Sequence, residues 1–134
     1  MAKTVLVVDD SLVMRKVIMR MLRECGLDCT TVEADGGHEA LARFADHRID
    51  LILCDWNMPS MNGLQLVEAI RKLDPACRVP IIMITTQTNS AKVQQAILAG
   101  VQNYLIKPFT PEMLHSKLAG YFQDQPEDPS AEGV

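Results

Sequence analysis

The chain has 134 residues, 48% of them hydrophobic and 22% charged, the composition and length of one globular domain and too little for two. Four of its 17 acids, Asp124, Glu127, Asp128 and Glu132, lie in the last twelve residues, which hold no Lys or Arg, so the formal charge of −4 leaves the body neutral. That excludes a global basic field for nucleic acid, and no apolar run is long enough to span a bilayer or serve as a secretory signal.

The expectation is a cytoplasmic protein with one domain over residues 1–122 and an acidic, disordered tail over 123–134. Cys25, Cys29, Cys54 and Cys77 make no Cys-x-x-Cys pair and are read as reduced thiols. His38, His47 and His115 are scattered, without metal-ligand spacing, and receive no role.

In chain order, Val5–Val8 is a short β-branched run, the mark of a strand covered on both faces. Ser11 offers a helix cap, and apolar residues at 13, 14, 17, 18, 21 and 22 form a helical stripe that Gly26 stops. Thr30–Glu33 is a weaker strand, and Gly36-Gly37 breaks the chain before a short helix carrying Ala40, Leu41, Phe44 and Ala45. Leu51–Cys54 is the third strand. After the Met58-Pro59 and Asn62-Gly63 loop signals, Leu66, Val67, Ile70 and Leu73 supply the next stripe.

Ile81–Ile84 is the fourth strand, and Ser90–Ala99 a helix with Val93, Ala96 and Ile97 inward, closed by Gly100. Tyr104–Ile106 is the fifth strand. Thr110 as cap and Pro111 at the first helical position open a last helix bearing Leu114, Leu118, Tyr121 and Phe122. Alternating strands and helices predict an α/β doubly wound fold: a five-stranded parallel sheet with five helices on its two faces. Ligands of such sheets bind beyond the carboxyl ends of the strands.

At those ends stand Asp9-Asp10, Asp55, Thr85 and Lys107. Three carboxylates converging on one pocket repel, at about 4 kcal/mol per pair at 4 Å and an effective dielectric of 20. A divalent cation and the Lys107 ammonium would offset that repulsion. Hard oxygen ligands with no Cys or His point to Mg²⁺. Asp55, leaving a dry strand, can act as a carboxylate nucleophile toward phosphorus. Lys107 and Thr85 can then meet phosphoryl oxygens with a point charge and a hydroxyl. Each residue alone has an ordinary reading as a turn or cap residue; four strand ends together do not.

At this point the chain resembles the receiver domain of two-component response regulators. The resemblance lies in Val-Leu-Val-Val-Asp9-Asp10-Ser, Asp55-Trp-Asn-Met-Pro-Ser-Met-Asn-Gly63, Ile-Met-Ile-Thr85-Thr and Tyr104-Leu-Ile-Lys107-Pro-Phe. The intervals from Asp10 to Asp55, Thr85 and Lys107, successively 45, 30 and 22 residues, suit that family, and coverage runs from about Lys3 to Phe122. The Asp-Trp-Asn-Met-Pro string is most similar to single-domain chemotaxis-type receivers.

The resemblance implies a flavodoxin-like sheet in the order 2-1-3-4-5. It implies Asp55 as phosphoacceptor, with Mg²⁺ on Asp10, Asp55 and the Asn57 carbonyl and Asp9 acting through water. Thr85 and Lys107 would bind the phosphoryl group, and Tyr104 would follow Thr85 as the switch aromatic. The implied donor is a sensor histidine kinase or histidine phosphotransfer domain. The implied output is a downstream protein target, from a monomer with no direct DNA binding and no membrane insertion. Departures from the family pattern are Thr86 where a small residue is common, Gln87, and Asn62 in place of a frequent Asp.

Three alternatives fit less well. An aspartyl-phosphate hydrolase places its nucleophile after the first strand, with a second Asp two residues on. A flavin or nucleotide module needs a phosphate loop where this chain has two aspartates. A pseudo-receiver that is not phosphorylated would not keep the complete acid, Thr and Lys set.

Overall fold

The computed structural model describes residues 3–73, 75, 79–86 and 90–122. Cys77, Gln87 and the acidic tail over 123–134 lie outside them. The elements alternate as β1 (Lys3–Val8), α1 (Leu12–Glu24), β2 (Cys29–Ala34), α2 (Gly37–Asp46), β3 (Leu51–Asp55), α3 (Gly63–Leu73), β4 (Ile81–Thr85), α4 (Ser90–Ala99), β5 (Asn103–Ile106) and α5 (Pro111–Phe122). The strands form one parallel sheet in the order β2-β1-β3-β4-β5, the doubly wound topology expected from the sequence.

Two apolar layers sandwich the sheet. Val5, Val7, Leu51, Leu53, Ile82, Ile84 and Leu105 pack against Ile18 and Leu22 of α1 and Leu114 and Leu118 of α5. Leu6, Val8, Ile52, Cys54, Ile81 and Met83 pack on the other side, against Ala40, Leu66, Val67, Ile70 and Ala96. The central strands β3 and β4 are buried along their whole length, which is why they read as unbroken apolar runs.

Local signals fix the helix ends. Ser11 Oγ accepts from Met14 N–H at 3.2 Å and Thr110 Oγ1 from Met113 N–H at 3.1 Å. Gly26 and Gly100 close α1 and α4 at φ of 75° and 111°, a conformation other residues adopt only with strain. At α3, Asn62 Oδ1 accepts from Gln65 N–H and Gln65 Oε1 from Asn62 N–H, both at 2.9 Å. This reciprocal cap was legible as Asn-x-x-Gln and is an addition to the sequence reading.

Several apolar stripes are narrower than their sequence patterns. Val13 is 73% exposed, and Val17 is exposed too, leaving Ile18 and Leu22 as the buried residues of α1. Leu73 and Ile97, expected inward, are 63% and 55% exposed, and Ala45 is exposed. A helix packed on one face of a sheet buries only the arc of its surface that meets the strands. Residues at the rim of a wider stripe therefore face solvent.

Candidate functional site

Alternation along the strands decides which side chains meet. Successive residues point to opposite faces, and Val5, Val7, Leu53 and Leu105 face α1 and α5. Continuing the count by two places Asp9, Asp55 and Lys107 toward that same side, whereas Thr85 follows Met83 to the other. Lys107 Nζ accordingly lies 3.1 Å from Asp55 Oδ1 and 3.8 Å from Asp9 Oδ2. Asp10 would turn away from Asp9 on a regular strand, but β1 has ended at Val8. One carboxylate oxygen from each of Asp9, Asp10 and Asp55 comes within 4.8 Å of the others.

Asp9, Asp55 and Thr85 are buried, while Asp10 is exposed. Asp9 is held closely. Its N–H donates to Ala34 O at 3.1 Å and its Oδ1 accepts from Ser11 N–H at 2.8 Å. Its Oδ2 is buried without a hydrogen bond, since the Lys107 ammonium at 3.8 Å is beyond hydrogen-bond reach. Burial raises the Asp9 pKa above the ordinary carboxylate value, and the charges of Asp55 and Asp10 add to the rise; the Ser11 N–H and Lys107 oppose it.

A divalent cation fits this donor set. The orphaned, buried Asp9 Oδ2 and three carboxylates converging beside the Lys107 ammonium form, among the described residues, a pocket rich in negative charge. All the donors are hard oxygens, the chemistry that Mg²⁺ prefers.

The remaining expected residues frame this cluster. Asn57 is exposed in the loop two residues beyond Asp55. Trp56 is buried, with Lys92 Nζ 5.6 Å from its ring centroid. Tyr104 is half-buried on β5 opposite Met83, on the sheet face that Thr85 also takes, and Lys117 Nζ of α5 sits 5.3 Å from its ring centroid. Thr86 is exposed where β4 ends.

Sequence reasoning missed Gly63. A Cβ there would stand 2.7 Å from the Asp55 carbonyl oxygen and 3.0 Å from Trp56 Cα, and Gly63 N–H donates to Trp56 O at 2.8 Å. The loop after Asp55 thus folds back onto the Asp55 backbone, and only glycine permits the approach. It also missed Arg15 and Glu33. The available signal was a basic residue in the first turn of α1, where the helix dipole disfavours positive charge unless a partner compensates.

Residues 5–119 match the model of the response regulator receiver domain. The chemotaxis protein CheY1 of Helicobacter pylori is 46% identical over 114 residues, covering 84% of this chain and 91% of that protein. The chemotaxis protein CheY of Pseudomonas aeruginosa is 36% identical over 119 residues, covering 89% and 95%. The structure of the chemotaxis response regulator CheY4 of Vibrio cholerae superposes with a TM-score of 0.82 at 36% identity, covering 90% of this chain and 99% of that one. With sheet order, strand-end acids and sequence in agreement, this chain belongs to the response regulator receiver domains of two-component signalling, which are phosphorylated on an aspartate.

Proposed function

We propose that Asp55 accepts a phosphoryl group from a phosphohistidine, on a sensor histidine kinase or a histidine phosphotransfer domain, and that the modified chain presents an altered face to a downstream protein. The observation that carries the reading is the convergence of Asp9, Asp10 and Asp55 beside Lys107, with one buried oxygen of Asp9 left over. In the transfer, an Asp55 oxygen attacks phosphorus as the bond from phosphorus to the donor nitrogen breaks, and the electron pair returns to the imidazole. Lys107, already 3.1 Å from Asp55, would then share its charge with the incoming phosphoryl oxygens. The Thr85 hydroxyl would approach from the opposite side of β4.

Asp10, Asp55 and the Asn57 carbonyl would hold Mg²⁺, with Asp9 acting through water. Held by these residues, Mg²⁺ would supply positive charge to offset that developing on the phosphoryl oxygens. The chain acts as a switch rather than as a turnover enzyme, and the names of its relatives point to chemotaxis as the pathway. A monomer with residues 1–122 as its signalling unit completes the reading. Among the described residues no helix is long and apolar enough to cross a membrane.

Intact-mass measurement after incubation with Mg²⁺ and a small phosphodonor tests the proposal. One phosphoryl group should be gained, chelation should prevent the gain, and Asp55→Asn should abolish it. Equal labelling of Asp55→Asn would refute the assignment.

A further inference from the structure

The Asp9 carbonyl is held by a side chain outside the acid cluster. Arg15, in the first turn of α1, donates from Nη1 to Asp9 O at 2.7 Å and from Nε to Glu33 Oε1 of β2 at 2.9 Å. Its side chain is only 12% exposed. Lys16 Nζ reaches the other Glu33 oxygen at 3.2 Å, and Arg43 Nε of α2 donates to the Glu33 carbonyl at 3.3 Å. The Glu33 pKa is lowered, first by the Arg15 hydrogen bond; burial opposes this, and the Lys16 hydrogen bond and the charges of Lys16 and Arg15 lower it further.

With Arg15 in place, every polar atom of Asp9 but one is engaged. The N–H is on Ala34 O, Oδ1 is on Ser11 N–H and the carbonyl is on Arg15. Only Oδ2 has no hydrogen bond. The strut from Glu33 through Arg15 therefore fixes the turn from Asp9 to Ser11 between β1 and α1.

We propose that Arg15 is a positioning residue for the acid pocket: braced by Glu33, it sets the Asp9-Asp10 backbone so that the carboxylates stand in place to receive a divalent cation. The proposal rests on the reading that Mg²⁺ binds this pocket. Two effects of Arg15 have opposite signs. Its positive charge, on the carbonyl of the residue preceding Asp10, repels a cation, and Glu33 neutralises that charge at 2.9 Å. Its fork geometry holds the backbone, and a guanidinium, unlike an ammonium, can bridge a carbonyl and a carboxylate at once.

The sign of the mutational effect separates the accounts. Residues behind metal ligands commonly tune affinity by about tenfold or more. If Arg15 positions the acids, Arg15→Met weakens Mg²⁺ binding by about that factor. Arg15→Lys, which keeps the charge but loses the fork, falls between. Glu33→Gln weakens binding as well, because the guanidinium is left both unbraced and uncompensated.

Mg²⁺ affinity is measured by titration calorimetry and by Trp56 fluorescence, at a temperature where circular dichroism shows each variant fully folded. Weaker binding by Arg15→Met and Glu33→Gln, with partial recovery in Arg15→Lys, supports positioning. Unchanged affinity with a lowered melting temperature makes Arg15 purely structural and overturns the proposal. Tighter binding by Arg15→Met leaves only its charge at work, and also overturns it. A wild-type chain that binds no Mg²⁺ would remove the underlying reading, an outcome distinct from either.

Discussion

Asp9 is buried with like charges on two sides and one oxygen without a hydrogen bond, so its ionised form strains the cation-free pocket. Because its pKa is raised, the folded chain keeps a proton on Asp9 to higher pH than the unfolded chain does. The stability this group contributes is present below the ordinary carboxylate pKa and is lost as pH rises through the raised folded value. Asp9→Asn should therefore stabilise the Mg²⁺-free protein at neutral pH by about 1 kcal/mol, a few degrees in Tm, with the gain vanishing in acid. Thermal melts across pH, in chelator, check this. Added Mg²⁺ should raise the Tm of the wild type by mass action and that of the variant less.

Gly63 supplies a second residue-scale expectation. Alanine is the better helix former by up to about 1 kcal/mol, yet its Cβ would meet the Asp55 carbonyl at 2.7 Å. Since that neighbour is backbone, the loop has to move. Gly63→Ala should destabilise by about 1–3 kcal/mol in urea unfolding and slow labelling of Asp55 together with it. A gain in stability with normal labelling would show that the close approach does not matter.

Among the elements, α1 departs furthest from its sequence pattern. Its apolar stripe was legible, but the residues it buries were not separable from those it exposes: Leu12 and Val13 are 56% and 73% exposed. A helix lying across a flat sheet buries one narrow arc, and the sequence carries no mark of where that arc ends. The same helix contributes Met14, Val17 and Met21 to a groove of about 330 Å³ that Thr86, Lys107 and Phe109 complete, among others. A donor protein that brings a phosphohistidine to Asp55 must land on surface flanking Lys107, and this apolar surface does flank it. Leu12→Asp and Val13→Asp should slow phosphotransfer from a histidine donor protein by roughly tenfold, the loss of about 1.4 kcal/mol of contact. Labelling by a small phosphodonor should be unaffected. Parallel loss of both reactions would place the damage in the pocket rather than in docking.

The other elements follow the same logic. Strand positions were legible because buried parallel strands are written as apolar runs, and the strand-end residues Asp9, Asp55, Thr85 and Lys107 were legible because polar groups interrupt those runs at the point where the ligand site must lie. Arg15 and Glu33 were not, since their pairing joins α1 to β2 across 18 residues and no local period encodes it. Ile97 was misread as inward on α4 for the same reason as Val13, a stripe wider than the surface available to bury it.

At the scale of the whole molecule, the sheet joins the pocket to a distant face. β4 ends in Thr85 and pairs with β5, where Tyr104 lies opposite Met83 on the face shared with Thr85. Lys117 Nζ stands over the Tyr104 ring and also donates to Asn103 Oδ1 at 3.3 Å, so the ring belongs as much to α5 as to the strand. A phosphoryl group that draws in Thr85 would open space for Tyr104, and an inward ring would give up its contact with Lys117. Two conformers in equilibrium suffice, with phosphorylation biasing the ratio by a few kcal/mol.

The direct measurement is a pair of amide NMR spectra in Mg²⁺, of the unmodified chain and of the chain phosphorylated at Asp55. The account predicts shifts around Asp9, Asp10 and Asp55 that continue through Thr85 to Tyr104, Lys117 and the body of α4. Shifts confined to the acid cluster and its loops, with residues 100–118 unmoved, would contradict the claim that phosphorylation of Asp55 remodels a protein-binding face.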